Sequence, residues 1–355
     1  MAIRINLHAS TFLLLHLLIF LCLTSSALAE ANPETPNQCT KSHGGCNNRT
    51  QALRLKLIAI ASILVASMVG VCLPIFSRSV PALQPDKDLF VLVKAFASGV
   101  ILATGYMHVL PDSFDCLRSD CLPETPWKKF PFTTFVAMLS AVVTLMVDSF
   151  SMSYYKKRFQ ASLEVKKHHE IGGQELEHVG HGLKLEDGVD ENDSVLLRHR
   201  VVAQVLELGI VVHSVVIGLS MGASDNPCTI RPLVAALCFH QLFEGMGLGG
   251  CILQAEYGSK IKAIMVFFFS TTTPFGIGLG IGLSNVYSTD SPTALIVVGL
   301  LDAASAGLLN YMALVDLLSS DFMSPKLQAN VKLQTWAYFA VLLGAGGMSL
   351  MAKWA

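Results

Sequence analysis

The sequence predicts an all-α, polytopic membrane protein with eight transmembrane helices. Three observations predict it. Of 355 residues, 52% are hydrophobic and only 14% are charged, where a soluble chain carries about a quarter charged residues. Mean hydropathy is +0.53. Eight apolar stretches follow one another, each long enough, at about 20 residues, to cross a ~30 Å hydrocarbon core. A net charge of −1 offers no basic field, so nucleic acid is not expected as a partner.

Residues 1–29 read as a secretory signal peptide. Arg4 opens it, residues 11–23 are its apolar core, and Ala27-Leu28-Ala29 fits the small-x-small pattern before a cut. Residues 30–54 form a polar N-terminus with a glycosylation acceptor, Asn48-Arg49-Thr50. Helices 1 to 3 occupy 55–76, 89–110 and 132–155. Residues 156–199 make one long charged loop, whose glycines and acidic run argue against a packed structure. Helices 4 to 8 fill the remainder to 355, at 201–222, 232–254, 261–283, 293–317 and 333–352. An even number of spans puts both mature ends on one side. With those ends outside, the inner loops hold 14 Lys and Arg against 9 outside. That bias sets the orientation, with both termini extracellular and the 156–199 loop cytoplasmic.

Smaller signals refine these elements. Cys39 and Cys46, and Cys116 and Cys121, are close pairs in extracellular segments and candidate short-loop disulfides. Cys228 has no evident partner. Gly218 and Gly222, Gly245 and Gly249, Gly276 and Gly280, and Gly278 and Gly282 repeat at four-residue spacing, which suits close helix approach and predicts that helices 4, 5 and 6 pack as a unit. Pro274 is expected to kink helix 6 and free a carbonyl.

The chemistry concentrates in helices 4 and 5. His240 and Glu244 are i and i+4 and share a helix face, which Gln241 borders. A short turn, 223–231, makes helices 4 and 5 antiparallel neighbours, so His213 falls at a similar depth. Two imidazoles and a carboxylate at the midplane are costly in lipid and should face a protein interior. They also form a transition-metal ligand set with one open position, suited to reversible binding. Ser214 is a weaker oxygen donor beside it. His108 and Asp112, again i and i+4, stand at the outer end of helix 2 as a candidate entrance; the plain alternative is a solvated helix end. In the loop, His168, His169, His178 and His181 are candidate metal contacts. Glu207 and Asp148 lie toward the inner ends of their helices and could line an exit. Asp302 and Asp316 are expected to make interhelical hydrogen bonds, and Lys94 to offset Asp148 or snorkel inward. No GxxxxGK[ST] phosphate loop occurs.

These motifs resemble one family. His213-Ser214-Val215-Val216-Ile217-Gly218-Leu219-Ser220 and His240-Gln241-Leu242-Phe243-Glu244-Gly245 look like helices 4 and 5 of a ZIP (Zrt-, Irt-like protein) divalent metal transporter of the plant zinc and iron uptake branch. Phe96-Ala97-Ser98-Gly99-Val100 and Met107-His108-Val109-Leu110-Pro111-Asp112 resemble its second helix. The resemblance implies import of Zn²⁺, Fe²⁺, Mn²⁺ or Cd²⁺ into the cytoplasm by alternating access, at a plasma membrane. The metal is then transported substrate rather than cofactor. The resemblance also implies homodimers, and a bundle of helices 1, 4, 5 and 6 moving against 2, 3, 7 and 8. It places the metal at His213, His240 and Glu244. Many relatives carry an Asn and an acid where Ser214 and Ile217 stand, and some an acid at Gln241, so a single-ion site is expected. Two other readings stay open on the residues alone: an integral-membrane metal-dependent hydrolase and a metal receptor that binds without flux.

Overall fold

The computed structural model describes residues 48–76, 87–171, 191–284 and 291–353, with the backbone alone at 156, 158–171 and 191–194. Among them no strand occurs, and eight helices are long and apolar enough to cross a membrane. We label these α1 (Arg49–Phe76), α2 (Asp88–Leu117), α3 (Phe132–Ile171), α4 (Glu191–Ala223), α5 (Pro227–Gln254), α6 (Ser259–Leu283), α7 (Pro292–Phe322) and α8 (Val331–Ala352). The signal peptide, the Cys39–Cys46 pair, His178 and His181 lie outside the described residues.

The helices start earlier than hydropathy suggests, because polar caps start them. Asn48 Oδ1 accepts from the Gln51 N–H (3.0 Å) at the start of α1. Asn226 Oδ1 accepts from the Cys228 N–H (3.0 Å), and Pro227 takes the first helical position, where its missing N–H costs nothing. So α5 begins at Pro227, five residues before the apolar stretch does, and the α4–α5 turn shrinks to 224–226. Ser291 and Asn330 cap α7 and α8 in the same way. Both ends of the expected 156–199 loop are helical: α3 continues to Ile171, where Gly172-Gly173 follows, and α4 begins at Glu191.

Four expectations need correction. α6 runs unbroken through Pro274. The Thr271 hydroxyl donates to the Phe267 carbonyl (2.8 Å) and Thr272 to that of Phe268, in the turn before the Ser270 carbonyl that the proline leaves without its usual N–H donor. The irregular backbone lies instead in α2 and α7, as wide π turns at Gly105–Val109 and Met312–Ser319. Second, Cys116 and Cys121 are thiols and not a disulfide. The Cys116 Cβ is turned onto α7, where a Cβ at Gly299 would stand 3.0 Å from it. Cys228, by contrast, is disulfide-bonded. Third, Lys94 pairs with Asp321 (2.9 Å) rather than Asp148.

The fourth concerns the glycines. Gly218 and Gly222 of α4 meet Gly276 and Gly280 of α6 backbone to backbone; a methyl at Gly218 would stand 2.7 Å from the Thr273 carbonyl oxygen. The glycine face of α5 turns to α1 and not to α6: a methyl at Gly245 would stand 2.8 Å from the Val71 nitrogen. Gly278 and Gly282 face open space. The helices consequently sort into two groups. In one, α1 lies along α5 and α4 along α6; in the other, α2 lies along α8 and α3 along α7, and contacts between the groups are sparser. Serine hydroxyls bind α7 into the second group, Ser113 donating to the Gly299 carbonyl and Ser140 to that of Ala304 (both 2.7 Å). Between the groups lies the most buried part of the molecule, along α4 and α5.

Candidate metal centre

His240 lies about 20 Å from either end of α5 at 1.5 Å rise per residue, hence at mid-span. Glu244 follows one turn later on the same face. Opposite, α4 brings in His213. One donor atom from each of these three side chains lies within 4.8 Å of the others. Donors bound at ~2 Å to one ion stand up to about 4 Å apart, so a shift of about an ångström brings all three onto a common cation. Among the described residues this is the one group of three or more His, Cys, Asp and Glu that close together.

Its environment favours a cation. His240 and Glu244 are fully buried and His213 is 1% exposed. Neither ring nitrogen of either histidine, and neither carboxylate oxygen of Glu244, has a hydrogen-bond partner among the described residues. A carboxylate at membrane mid-depth costs roughly 3 kcal/mol when unpaired, and a divalent ion bound by the three groups would offset that cost. Ser214 is buried beside His213 with its hydroxyl unpartnered. Gln241 is buried too, but its carbonyl oxygen accepts from the Thr273 hydroxyl of α6 (3.4 Å) and is turned that way.

His108 is placed differently from its expected position at the outer surface. It sits in the π turn of α2, 5% exposed, its ring 6.3 Å from that of His240; the His213 and His240 rings are 5.7 Å apart. The wide turn swings it inward, and Gly105 makes room, since a Cβ there would collide with the Asn310 side chain of α7. Asp112, one turn on, stays exposed, within the charge field of His108. Asp112 also shares its charge field with Asp302 of α7, a nearly buried acid. Its place in the middle of an apolar helix was the available signal for Asp302.

At the other end, Asp148 accepts from the Tyr311 hydroxyl (3.3 Å) and lies near Asp316, whose Oδ2 is buried without a partner. Glu207 is half-buried on α4. His168 and His169 lie on the helical extension of α3. Asn48 is exposed at the start of α1, where its carbonyl oxygen already serves as the cap.

The family model described as ZIP zinc transporter matches residues 53–352. The chain is 62% identical to "Fe(2+) transport protein 1" of Oryza sativa subsp. japonica, over 94% of this chain and 92% of the relative. It is 55% identical to "Probable zinc transporter 10" of Arabidopsis thaliana (95% and 96%) and 56% identical to "Zinc transporter 7" of the same plant (95% and 96%). A match that runs from α1 to the end of α8, with relatives of nearly equal length, means that this chain belongs to the ZIP zinc transporter family.

Proposed function

We propose that the protein imports zinc and ferrous iron into the cytoplasm, binding one ion at a time between His213, His240 and Glu244. As a ZIP member it is a multi-pass membrane transporter of divalent metal and not an enzyme, which sets the hydrolase reading aside. The observation that carries the central site is the convergence of three buried, otherwise unpartnered ligands at mid-span. Relatives named for Fe(2+) and for zinc are similarly close, and imidazole with carboxylate suits both ions.

The cycle we infer is alternating access. Asp112 and Asp302 collect a cation at one face. His108 stands next to His240 and hands it on. The three-ligand site holds it, and Glu207, Asp148 and Asp316 line the way out. Weaker packing between the two helix groups than within them supports a movement of one against the other. We place the protein in the plasma membrane with both mature termini outside, residues 30–54 extracellular and 156–199 cytoplasmic, on the distribution of Lys and Arg. A homodimer is the assembly we infer. The least buried spans, α3 and α8, offer the surface that lipid and a second copy would share.

The test is radiolabelled Zn²⁺ uptake into proteoliposomes, wild type beside His240→Ala and Glu244→Ala. Saturable uptake lost in both folded variants is the expected result, with excess Fe²⁺ competing in the wild type. Normal uptake in the variants would remove the site while leaving the carrier. Binding without flux in the wild type would favour a receptor instead.

A further inference from the structure

A second polar cluster lies away from the metal centre, at the end of the bundle from which residues 172–190 leave. Its hub is Lys94 of α2, only 5% exposed. The ammonium donates to Asp321 Oδ1 at the end of α7 (2.9 Å) and to Gln254 Oε1 at the end of α5 (3.0 Å). His199 of α4 lies within the charge field of Lys94 and Asp321 and against the Gln254 backbone. Cys251, nearly a turn before Gln254, is 2% exposed and lies near Lys94, Asp321 and Asp316. One buried cation thus joins three helices, with α4 alongside.

Two things set this cluster apart from ordinary structural pairing. The first is its position. Gln254 follows Glu244 by about 15 Å along α5, so an ion leaving the centre between α2, α4, α5 and α7 toward this end meets an ammonium, which repels it. The second is how the bonds divide. Lys94 and Asp321 both belong to the α2–α8 and α3–α7 group, so their ion pair moves with that group. Gln254 belongs to the group of α1, α4, α5 and α6. The bond that crosses between groups is the one to a neutral acceptor, and breaking it leaves the buried charge still paired. A small cavity between α1, α2 and α5, lined by Leu73, Pro74, Phe90, Lys94, Met246 and Gly250, gives these helices room at the same place.

We propose that Lys94 is a gating residue of the transport cycle, closing the inner exit by holding Gln254 and opening it by letting Gln254 go while Asp321 keeps the ammonium paired. This rests on the transport reading above. The gate can nevertheless be read without flux, because Cys251 is a native reporter buried behind it.

The experiment measures N-ethylmaleimide modification of Cys251 by peptide mass spectrometry in the reconstituted full chain. Cys238, nearer the other end of α5, is the internal control. Wild type is compared with Lys94→Met, Lys94→Arg and Gln254→Leu. Gln254→Leu and Lys94→Met should raise the Cys251 rate at least ~10-fold, the fold-change that corresponds to the ~1.4 kcal/mol of one charge-assisted hydrogen bond, with Cys238 unchanged. Lys94→Arg, which keeps charge and donors, should stay near wild type. If Cys251 in Gln254→Leu reacts at the wild-type rate, or if both cysteines open together, the gate is overturned. The expected rise of the Cys251 rate in the two variants, found while the wild type moves no zinc, would sink the transport reading and leave the latch standing.

Discussion

His108 and Glu244 both stand beside the imidazole of His240, yet their loss should have different consequences. Glu244 is one of the three converging ligands, so Glu244→Gln should weaken zinc binding at least ~100-fold, beyond what loss of a supporting group costs. His108 stands outside the trio, with its ring 6.3 Å from His240. His108→Ala should leave equilibrium affinity within about 3-fold, a change of ~0.6 kcal/mol, while slowing uptake. Calorimetric titration of the detergent-solubilised variants, set beside their initial uptake rates, separates the two. A large affinity loss in His108→Ala would make it a fourth ligand. The cysteines give a simpler prediction. Cys116 and Cys121 should both be alkylated in denatured, unreduced protein, whereas Cys228 should react only after reduction; mass spectrometry of the alkylated peptides decides it.

Between helices, the four-residue glycine pairs differ more in consequence than in sequence. Gly276→Leu would drive a side chain into the Val215 carbonyl of α4, 2.8 Å from where its Cβ must stand. Overpacking of that kind costs roughly 1–3 kcal/mol. Gly278→Leu, two residues away and facing open space, should be neutral within about 0.5 kcal/mol. Thermal unfolding of the two purified variants should rank them in that order, and equal melting would refute the close α4–α6 approach. This pair also shows the limit of sequence reading. Spacing marks which glycines are candidates, but the face a helix buries depends on its neighbour, and nothing local says that α5 turns its glycines to α1. The His240 and Glu244 pair was legible because i and i+4 on one helix is a local relation. The position of His108 was not, since a π turn has no hydropathic signature. The start of α5 was readable in Asn226-Pro227, a capping signal masked by the lower hydropathy there.

At the scale of the whole molecule, the number of spans was readable because ~20 apolar residues per crossing is a property of the bilayer itself. The pairing of the helices was not, since it depends on contacts among distant segments. Among the described residues eight helices are long enough to cross, and with residues 1–29 removed we expect both ends of the chain on one face. Epitope tags at the two ends should therefore be stained together on unpermeabilised cells, and a tag in the segment 172–190 only after permeabilisation. Staining of one terminal tag alone would require an odd number of crossings. The same count puts Lys94, Gln254 and Asp321 on the side of that internal tag, although they come from three separate helices.

The wide turn at Gly105–Val109 has a consequence for tolerance to deletion. A π turn accommodates one residue more than a regular helix needs while keeping the flanking segments in line. Tyr106 and Met107 within it are half-exposed, with little core packing to lose. Removing the single codon for Met107 should close the turn into ordinary helix, leaving Thr104 and Leu110 near where they stand. The imidazole at 108 would swing away from its neighbour on α5, so the shortened chain should reach the membrane at normal abundance and be impaired in carrying metal. In this stretch, reading frame length and catalytic-style aim are separable, and a one-codon change is enough to part them.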